Sequence, residues 1–232
     1  MLDRRIRLFA AIAGLALMPT VALALPVTWE LRGTLHTAQG SDLSPLITPT
    51  SPFAFRVQFD TDLPPASNPL ACGGGGAGST CRYTGGLVPR FVDLRVGGLS
   101  EPEFTADQAS NLILIRNDAP SSAGPVDGIS FGTRRSFADG EFINFLVIFR
   151  GPQRLDVVTD ATRLPGDPPS GLLDLGERTF EVCHSSAQPG DDCDLTLVRG
   201  TVDSVSRVPE PATAGLLALA LGALGASRRR RH

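Results

Sequence analysis

The chain has 232 residues and a formal net charge of −3, and 42% of its residues are hydrophobic. Without the two apolar ends, residues 25–207 hold 14 arginines against 22 acidic residues, which gives this body a net charge of −8. Such an acidic body argues against a nucleic-acid partner, because phosphate backbones are bound mainly by basic surfaces. The length is sufficient for one domain with a substantial core.

The chain begins with the three parts of a secretory signal peptide. A basic start that includes Arg4 and Arg5 precedes an apolar run at residues 8–25. Ala22 and Ala24 place small side chains at the two positions that signal peptidase reads, so cleavage is predicted after Ala24. The alternatives are a retained N-terminal membrane anchor and, from the Arg4-Arg5 pair, a twin-arginine signal.

The body is predicted to be β-structure throughout. In its first segment Val27, Trp29 and Leu31 alternate with polar residues, which is typical of a strand with one buried face. Eight strands are predicted, at residues 27–36, 53–60, 91–96, 111–116, 126–133, 142–150, 178–183 and 193–208. Turns rich in glycine, proline and aspartate separate them, and no sustained helical periodicity interrupts them. This pattern predicts an all-β fold, an antiparallel β-sandwich of jelly-roll type.

The four cysteines form two pairs that are close in sequence, Cys72 with Cys81 and Cys183 with Cys193. In an exported chain this spacing predicts two local disulfides. Four cysteines allow three connectivities, and the local one is preferred because both intervening loops are flexible or rich in turn residues. A four-cysteine zinc site is the alternative, but no C-x-x-C pair supports it.

Residues 128–132 spell G-x-S-x-G, the pattern of a nucleophile elbow centred on Ser130. That chemistry needs a strand, a tight turn and a helix, followed by an acid and a histidine. No helix is predicted after Ser130, although His184 follows it in the chain. We interpret Ser130 as a solvent-facing strand residue between two core residues, Ile129 and Phe131, and we predict no catalytic residue.

Acidic residues in turns are the remaining candidates for chemistry, because calcium takes six to eight oxygen ligands. None of them follows a known calcium-binding spacing, so solvated turn carboxylates are the interpretation and one structural calcium ion is the alternative. No metal and no cofactor is predicted. The candidates are Asp60 and Asp62, Asn117, Asp118 and Asp127, and Asp191, Asp192 and Asp194.

The C-terminal segment has three parts. Pro209, Glu210 and Pro211 form a stiff spacer, because proline fixes its own φ and favours extended neighbours. Residues 212–226 are an uncharged run of mainly Ala, Leu and Gly. As a helix this run would be about 22 Å long, whereas the hydrocarbon core of a membrane is ~30 Å thick. The run is therefore predicted to span a membrane only marginally. A basic stop follows, which marks the cytoplasmic end: Arg228, Arg229, Arg230 and Arg231. A buried helix of a soluble domain is the alternative.

This order, Pro-Glu-Pro, short apolar helix and basic cluster, closely resembles the PEP-CTERM sorting signal of Gram-negative bacteria. The resemblance covers residues 208–232. It implies tethering through the transmembrane helix at 212–226, then recognition and cleavage near Pro-Glu-Pro by an exosortase-type membrane protease. Such proteins accompany exopolysaccharide production, so the resemblance also implies a place at the cell surface or in the extracellular matrix, with exopolysaccharide as a partner.

These features predict a signal peptide at 1–24, an ectodomain at 25–207 and a sorting signal at 208–232. The predicted product is exported, tethered to the inner membrane as a precursor, and not an enzyme. Its expected role is structural or adhesive in the exopolysaccharide-rich envelope of a biofilm. The alternative is a polysaccharide-binding module or a polysaccharide-acting enzyme on the same sorting route. The low content of tryptophan and tyrosine counts against a binding module, since Trp29 and Tyr83 are the only residues of these two types.

Overall fold

The computed structural model describes residues 26–41, 43–66, 72, 76–84, 89–104, 111–122, 124–152, 157–186 and 193–209. Within these residues the chain forms ten strands and a short 3₁₀ helix, Leu172–Asp174. The strands are β1 Val27–Gly40, β2 Pro52–Phe59, β3 Ser79–Thr84, β4 Arg90–Val96, β5 Leu99–Phe104, β6 Leu112–Ala119, β7 Val126–Ser136, β8 Phe142–Pro152, β9 Glu177–Ser185 and β10 Thr196–Arg207. The all-β prediction is confirmed.

The alternation of apolar and polar residues decides which face of each strand is buried. In β2, Phe53, Phe55 and Phe59 are buried, while Ala54 and Arg56 between them are partly exposed. Side chains of a strand point alternately to its two faces, so a period of two in hydrophobicity fixes the inward face. Each of the ten strands pairs antiparallel with its neighbours.

All ten strands belong to one sheet, in the order β3-β6-β7-β8-β9-β10-β1-β2-β4-β5. Strands β6 to β10 follow one another as a meander. The last strand, β10, then pairs with the first, β1, and the sheet continues through β2, β4 and β5. The two ends of the domain's chain therefore lie in the middle of the sheet, and β3 and β5 form its edges.

The sheet is strongly coiled, so that its two halves face each other across an aromatic core. The rings of Phe91 on β4 and Phe145 on β8 have centroids 4.3 Å apart. These strands are five places apart in the sheet, which would separate them by about 24 Å in a flat sheet. Trp29 packs edge-on against Phe59 and Phe131, with centroids 5.1 and 5.6 Å away.

The predicted architecture is confirmed only in part. One hydrogen-bonded ladder runs through all ten strands, so the two separate sheets of a jelly-roll sandwich are not confirmed. Two strands were not predicted: β3, which follows the glycine-rich segment, and β5, which contains Pro102 between two glutamates. Proline and charge are usual features of an edge strand, because they discourage pairing with other chains.

Across the residues described here, no helix is both long and apolar enough to cross a membrane. The predicted helix at 212–226, the arginines at 228–231 and the predicted signal peptide at 1–24 all lie outside those residues.

Candidate functional site

The last strand ends where the proline-rich segment begins. β10 runs to Arg207, and the backbone N–H of Val208 donates to the carbonyl oxygen of Thr28 over 2.8 Å. The next residue, Pro209, is exposed and lies beyond the strand. Since β10 is bonded to β9 on one side and to β1 on the other, the sheet holds the chain up to this point. The sheet therefore fixes the position at which the proline-rich segment begins.

The chain enters and leaves the sheet at the same end of the domain. β1 begins at Val27 and pairs antiparallel with β10, so that Trp29 lies opposite Arg207. Neighbouring strands are about 4.8 Å apart. The predicted cleavage positions Ala22 and Ala24 lie outside the described residues, but Val27 places the entry point of the chain beside its exit point.

A loop between β8 and β9 braces this end of the domain. Asp167 of the loop pairs with Arg207, with 3.1 Å between Oδ1 and Nη1. The indole Nε1 of Trp29 donates to the carbonyl oxygen of Gly166 over 3.1 Å. A cavity of about 310 Å³ lies under the loop, with Ile115 among its apolar lining residues. The exit point is therefore fixed by side-chain contacts as well as by the sheet.

Asp127 is buried completely and holds this loop to the sheet. Its Oδ1 accepts the backbone N–H of Asp118 over 2.9 Å, and its Oδ2 accepts those of Val157 and Val158 over 3.0 and 3.4 Å. A carboxylate satisfied by three backbone donors is a structural group. Asp127 was a candidate calcium ligand, and the structure uses its oxygens for the backbone instead.

The other candidate acids that the structure describes lie in separate turns or strands. Within the described residues there is no group of three or more acidic, histidine or cysteine side chains placed to hold an ion. Asp60 accepts the backbone N–H of Asp62, and Asp194 accepts both the hydroxyl and the backbone N–H of Ser186. The hydrogen bond from the Ser186 hydroxyl is the main cause that lowers the pKa of Asp194, and the bond from the Ser186 backbone N–H adds to this effect. Asp191 and Asp192 lie outside the described residues.

The cysteines differ from the prediction in one pair. Cys183 and Cys193 form a disulfide, which is the local pairing that the sequence predicts. Cys72 and Cys81 are both buried and are free thiols, so the predicted bridge between them is not formed in this structure. The Cys81 sulfur is directed at the carbonyl oxygen of Cys72, 4.0 Å away. Burial and the neighbouring Cys72 raise the pKa of Cys81 to about 12.

Ser130 lies in the middle of β7 and is not at a tight turn. Its neighbours Ile129 and Phe131 are in the core, as predicted, but Ser130 is only 7% exposed and accepts a hydrogen bond from Arg116, so it does not face solvent freely. The strand register places it two strands and five residues from His184, about 19 Å away. This separation is too large for a serine–histidine pair.

A cluster of charged side chains covers the outer face of β1, β2 and β4. Glu30 accepts hydrogen bonds from Arg32, with 2.6 Å between Oε1 and Nε, and from Arg56 over 3.3 Å. Arg56 also pairs with Asp93 over 2.7 Å. The hydrogen bond from Arg32, together with the charges of both arginines, lowers the pKa of Glu30. We call these four side chains, together with Arg95, the outer-face arginine cluster. They surround a cavity of about 220 Å³ that Ala54 and Phe55 also line.

Comparison with protein families finds a match to the PEP-CTERM protein-sorting motif over residues 207–231. The chain carries a PEP-CTERM sorting motif. The motif indicates that the protein is exported and processed at the membrane by an exosortase-type membrane protein. Neither the curated proteins nor the solved structures include a significant match to this chain.

The PEP-CTERM motif thus begins at the last residue of β10. Of its predicted residues the structure describes Pro209, while Glu210, Pro211 and the four terminal arginines lie outside the described part. Arg207, the first matched residue, is paired with Asp167 and sits in the sheet beside Trp29. The motif is therefore joined directly to the rigid part of the domain, without an intervening linker.

The outer-face arginine cluster was missed from the sequence. Its residues occupy outward positions in three predicted strands, where charged side chains are ordinary. Only the register brings them together: Arg32 lies opposite Ala54, and Ala54 lies opposite Arg95. The alternation could have identified each outward residue, but it could not show which strands are neighbours.

Proposed function

We propose that the protein is an exosortase substrate whose β-domain is the working product, a non-enzymatic structural or adhesive component of the cell surface or extracellular matrix. The precursor is tethered to the inner membrane by residues 212–226 until it is processed near Pro209. The observation that carries the proposal is the position of the PEP-CTERM motif, which starts where β10 ends.

The placement of the chain ends supports a tethered precursor. Since β1 starts beside the end of β10, a signal peptide and a C-terminal anchor would leave the same end of the domain. Both could then enter one membrane with the domain on a single side of it. Among the described residues, the last backbone hydrogen bond at this end belongs to Val208, so cleavage after that residue would leave the described sheet complete.

A binding or structural role is favoured over hydrolysis of a polysaccharide. A glycosidase needs two carboxyl groups about 5–10 Å apart in a cleft, one of them protonated at working pH. The outward acids of the arginine cluster, Glu30 and Asp93, are each paired with Arg56, and the pKa of Glu30 is lowered. A carboxyl group held ionised in this way is a poor general acid.

Replacement of Pro209, Glu210 and Pro211 by alanine tests the sorting step. We expect the variant to accumulate as a membrane-bound precursor, because the processing enzyme would lose its recognition segment, whereas the normal protein is released from the membrane fraction. Cell fractionation and immunoblotting measure the distribution. Pro45→Ala with Pro49→Ala is the matched control, since these exposed prolines lie in the loop between β1 and β2, at the end of the strands opposite to Val208. Release of the triple variant at the normal rate would contradict the proposal.

A further inference from the structure

The outer-face arginine cluster has the features of a binding site for one charged group. We propose that it binds the carboxylate of an acidic sugar, with Arg32 and Arg95 on either side of that group. This inference rests on the proposed function only in that the ligand is met outside the cell. It assigns to the surface of β1, β2 and β4 a role that is separate from sorting.

The geometry provides a gap between two arginines. Ala54 on β2 lies opposite Arg32 on β1 and opposite Arg95 on β4, so the three residues form one row across the sheet. The outer two are about 10 Å apart at their Cα atoms, because each strand spacing is about 4.8 Å. The small side chain of Ala54 leaves the space between them open. Arg95 can therefore approach a carboxylate with its planar fork of donors, while Arg32, whose Nε and Nη2 contact Glu30, offers its Nη1 donors from the opposite side.

One arginine of the cluster has no opposite charge to balance it. Arg32, Glu30, Arg56 and Asp93 form a continuous chain of ion pairs with two positive and two negative members. Arg95 is exposed and has no hydrogen-bond or ion-pair partner among the described residues. The cluster therefore has a net charge of +1 in a body whose net charge is negative. A single negative charge over Ala54 would balance it.

The backbone of β4 is strained at the point that completes the cluster. Asp93 has a φ of 53°, in the left-handed region that few residues other than glycine adopt. The register shifts here, since Ala54 pairs with Arg95 and Arg56 pairs with Val92, so two residues of β4 lie opposite Phe55. This bulge allows Asp93 to reach Arg56 and hold it beside the gap. Strained residues and bulges of this kind are concentrated at functional sites.

A sugar acid fits these groups better than a phosphate. A dianion would exceed the single surplus charge and would be repelled by Glu30 and Asp93. A uronic acid carries one negative charge, and its hydroxyl groups can donate hydrogen bonds to the same two carboxylates. The cavity of about 220 Å³ is smaller than the ~300–1,000 Å³ of most small-molecule pockets, so it suits one sugar unit of a longer chain.

Titration of the exported protein with short oligogalacturonates tests the site, with neutral oligogalactosides of the same length as the comparison. We expect the backbone amide NMR signals of Ala54 and Arg95 to shift in a saturable way with the acidic oligomer only. Binding should weaken as salt is added, because the attraction is between exposed charges. Equal binding of the neutral oligomer would overturn the proposal, and so would equally strong competition by inorganic phosphate, which would show general anion binding.

Arg95→Gln is the informative variant, since it removes the surplus charge and breaks no hydrogen bond or ion pair with another described side chain. We expect it to weaken oligogalacturonate binding about tenfold, as loss of a charged hydrogen bond does. Arg82→Gln is the matched control, because Arg82 is an exposed arginine on β3, at the opposite end of the strand order. If Arg95→Gln binds as well as the unaltered protein, the site is not where we place it.

The outcomes for binding and for sorting are distinguishable. Arg95 lies far along the sheet from Pro209, so Arg95→Gln should be processed and released normally. Normal release without binding would refute the acidic-sugar site alone. Normal binding by a protein that is never released from the membrane would refute the sorting proposal alone.

Discussion

Tyr83 is the only tyrosine of the chain, and its side chain is completely buried. Its hydroxyl donates to the carbonyl oxygen of Ala161 over 2.6 Å, which ties the edge strand β3 to the loop after β8. Burial is the main cause that raises its pKa, and the neighbouring Cys81, Cys72 and Asp160 add to the effect. The fold therefore stabilises the protonated phenol.

We predict that Tyr83 does not ionise at its ordinary pKa of about 10 while the protein is folded. Because the folded pKa is raised, its stabilising contribution is complete below that pH and declines as the pH rises further. The tyrosinate absorbance in the near ultraviolet should therefore appear only with alkaline unfolding, whereas the urea-denatured chain should titrate normally. Ionisation of the folded protein near pH 10, with Trp29 fluorescence unchanged, would contradict this burial.

The state of Cys72 and Cys81 can be decided by alkylation without a reducing agent. The free thiols of the structure predict that iodoacetamide modifies neither cysteine in the native protein at neutral pH, because Cys81 is buried and its pKa is raised to about 12. Both should become modified once the chain is denatured, while Cys183 and Cys193 should require reduction. If Cys72 and Cys81 also require reduction, the local disulfide predicted from the sequence is present.

At the scale of elements, the junction of β1 and β10 depends on two glycines. A Cβ atom at Gly200 would lie 2.6 Å from the ring of Phe53 and 2.8 Å from the carbonyl oxygen of Thr34. Gly33 on the neighbouring strand is similarly crowded, 1.9 Å from the carbonyl oxygen of Thr201. Phe53 in turn stacks on Phe180, with centroids 4.5 Å apart. The close approach of β1, β10 and the aromatic core leaves no room for a side chain here.

Gly200→Ala should therefore destabilise the domain by about 1–3 kcal/mol, because a buried ring and a backbone carbonyl would have to move. Urea unfolding followed by Trp29 fluorescence measures the change. Gly76→Ala is the control, since no atom lies within 4 Å of the position its Cβ would take. It should be neutral or slightly stabilising. Equal stability of the two variants would show that the junction can relax.

The strands that could be predicted are those with a clear period of two, such as β1 with Trp29 and β2 with its phenylalanines. β3 and β5 were missed because short strands next to glycine or proline resemble loops locally. The sorting motif was predictable because its signal is contiguous in sequence. The arginine cluster was not, because Ala54 and Arg95 become neighbours only through pairing between distant strands. The local alternation of residues predicts which face of a strand is buried, whereas the pairing of strands decides which outward side chains come together.

At the scale of the whole molecule, the pairing of the last strand, β10, with the first strand, β1, joins the two halves of the sheet. β10 lies between β9 and β1, so the two halves of the coiled sheet are held together through it. Pro209, the one described residue after Val208, belongs to no strand. A protein processed beyond Val208 should therefore keep its stability.

We predict that a chain shortened to end at Val208 unfolds at the same temperature as the full chain. A chain shortened to end at Thr201 should be much less stable, because it loses the half of β10 that pairs with Trp29 and Leu31. Burial of Val202 alone contributes about 2 kcal/mol to the free energy of unfolding, which corresponds to about 4–8 °C in Tm for a domain of this size. Thermal unfolding followed by Trp29 emission measures both. A lower Tm for the chain ending at Val208 would mean that the sorting segment is part of the folded domain, so that its removal could not leave a stable product.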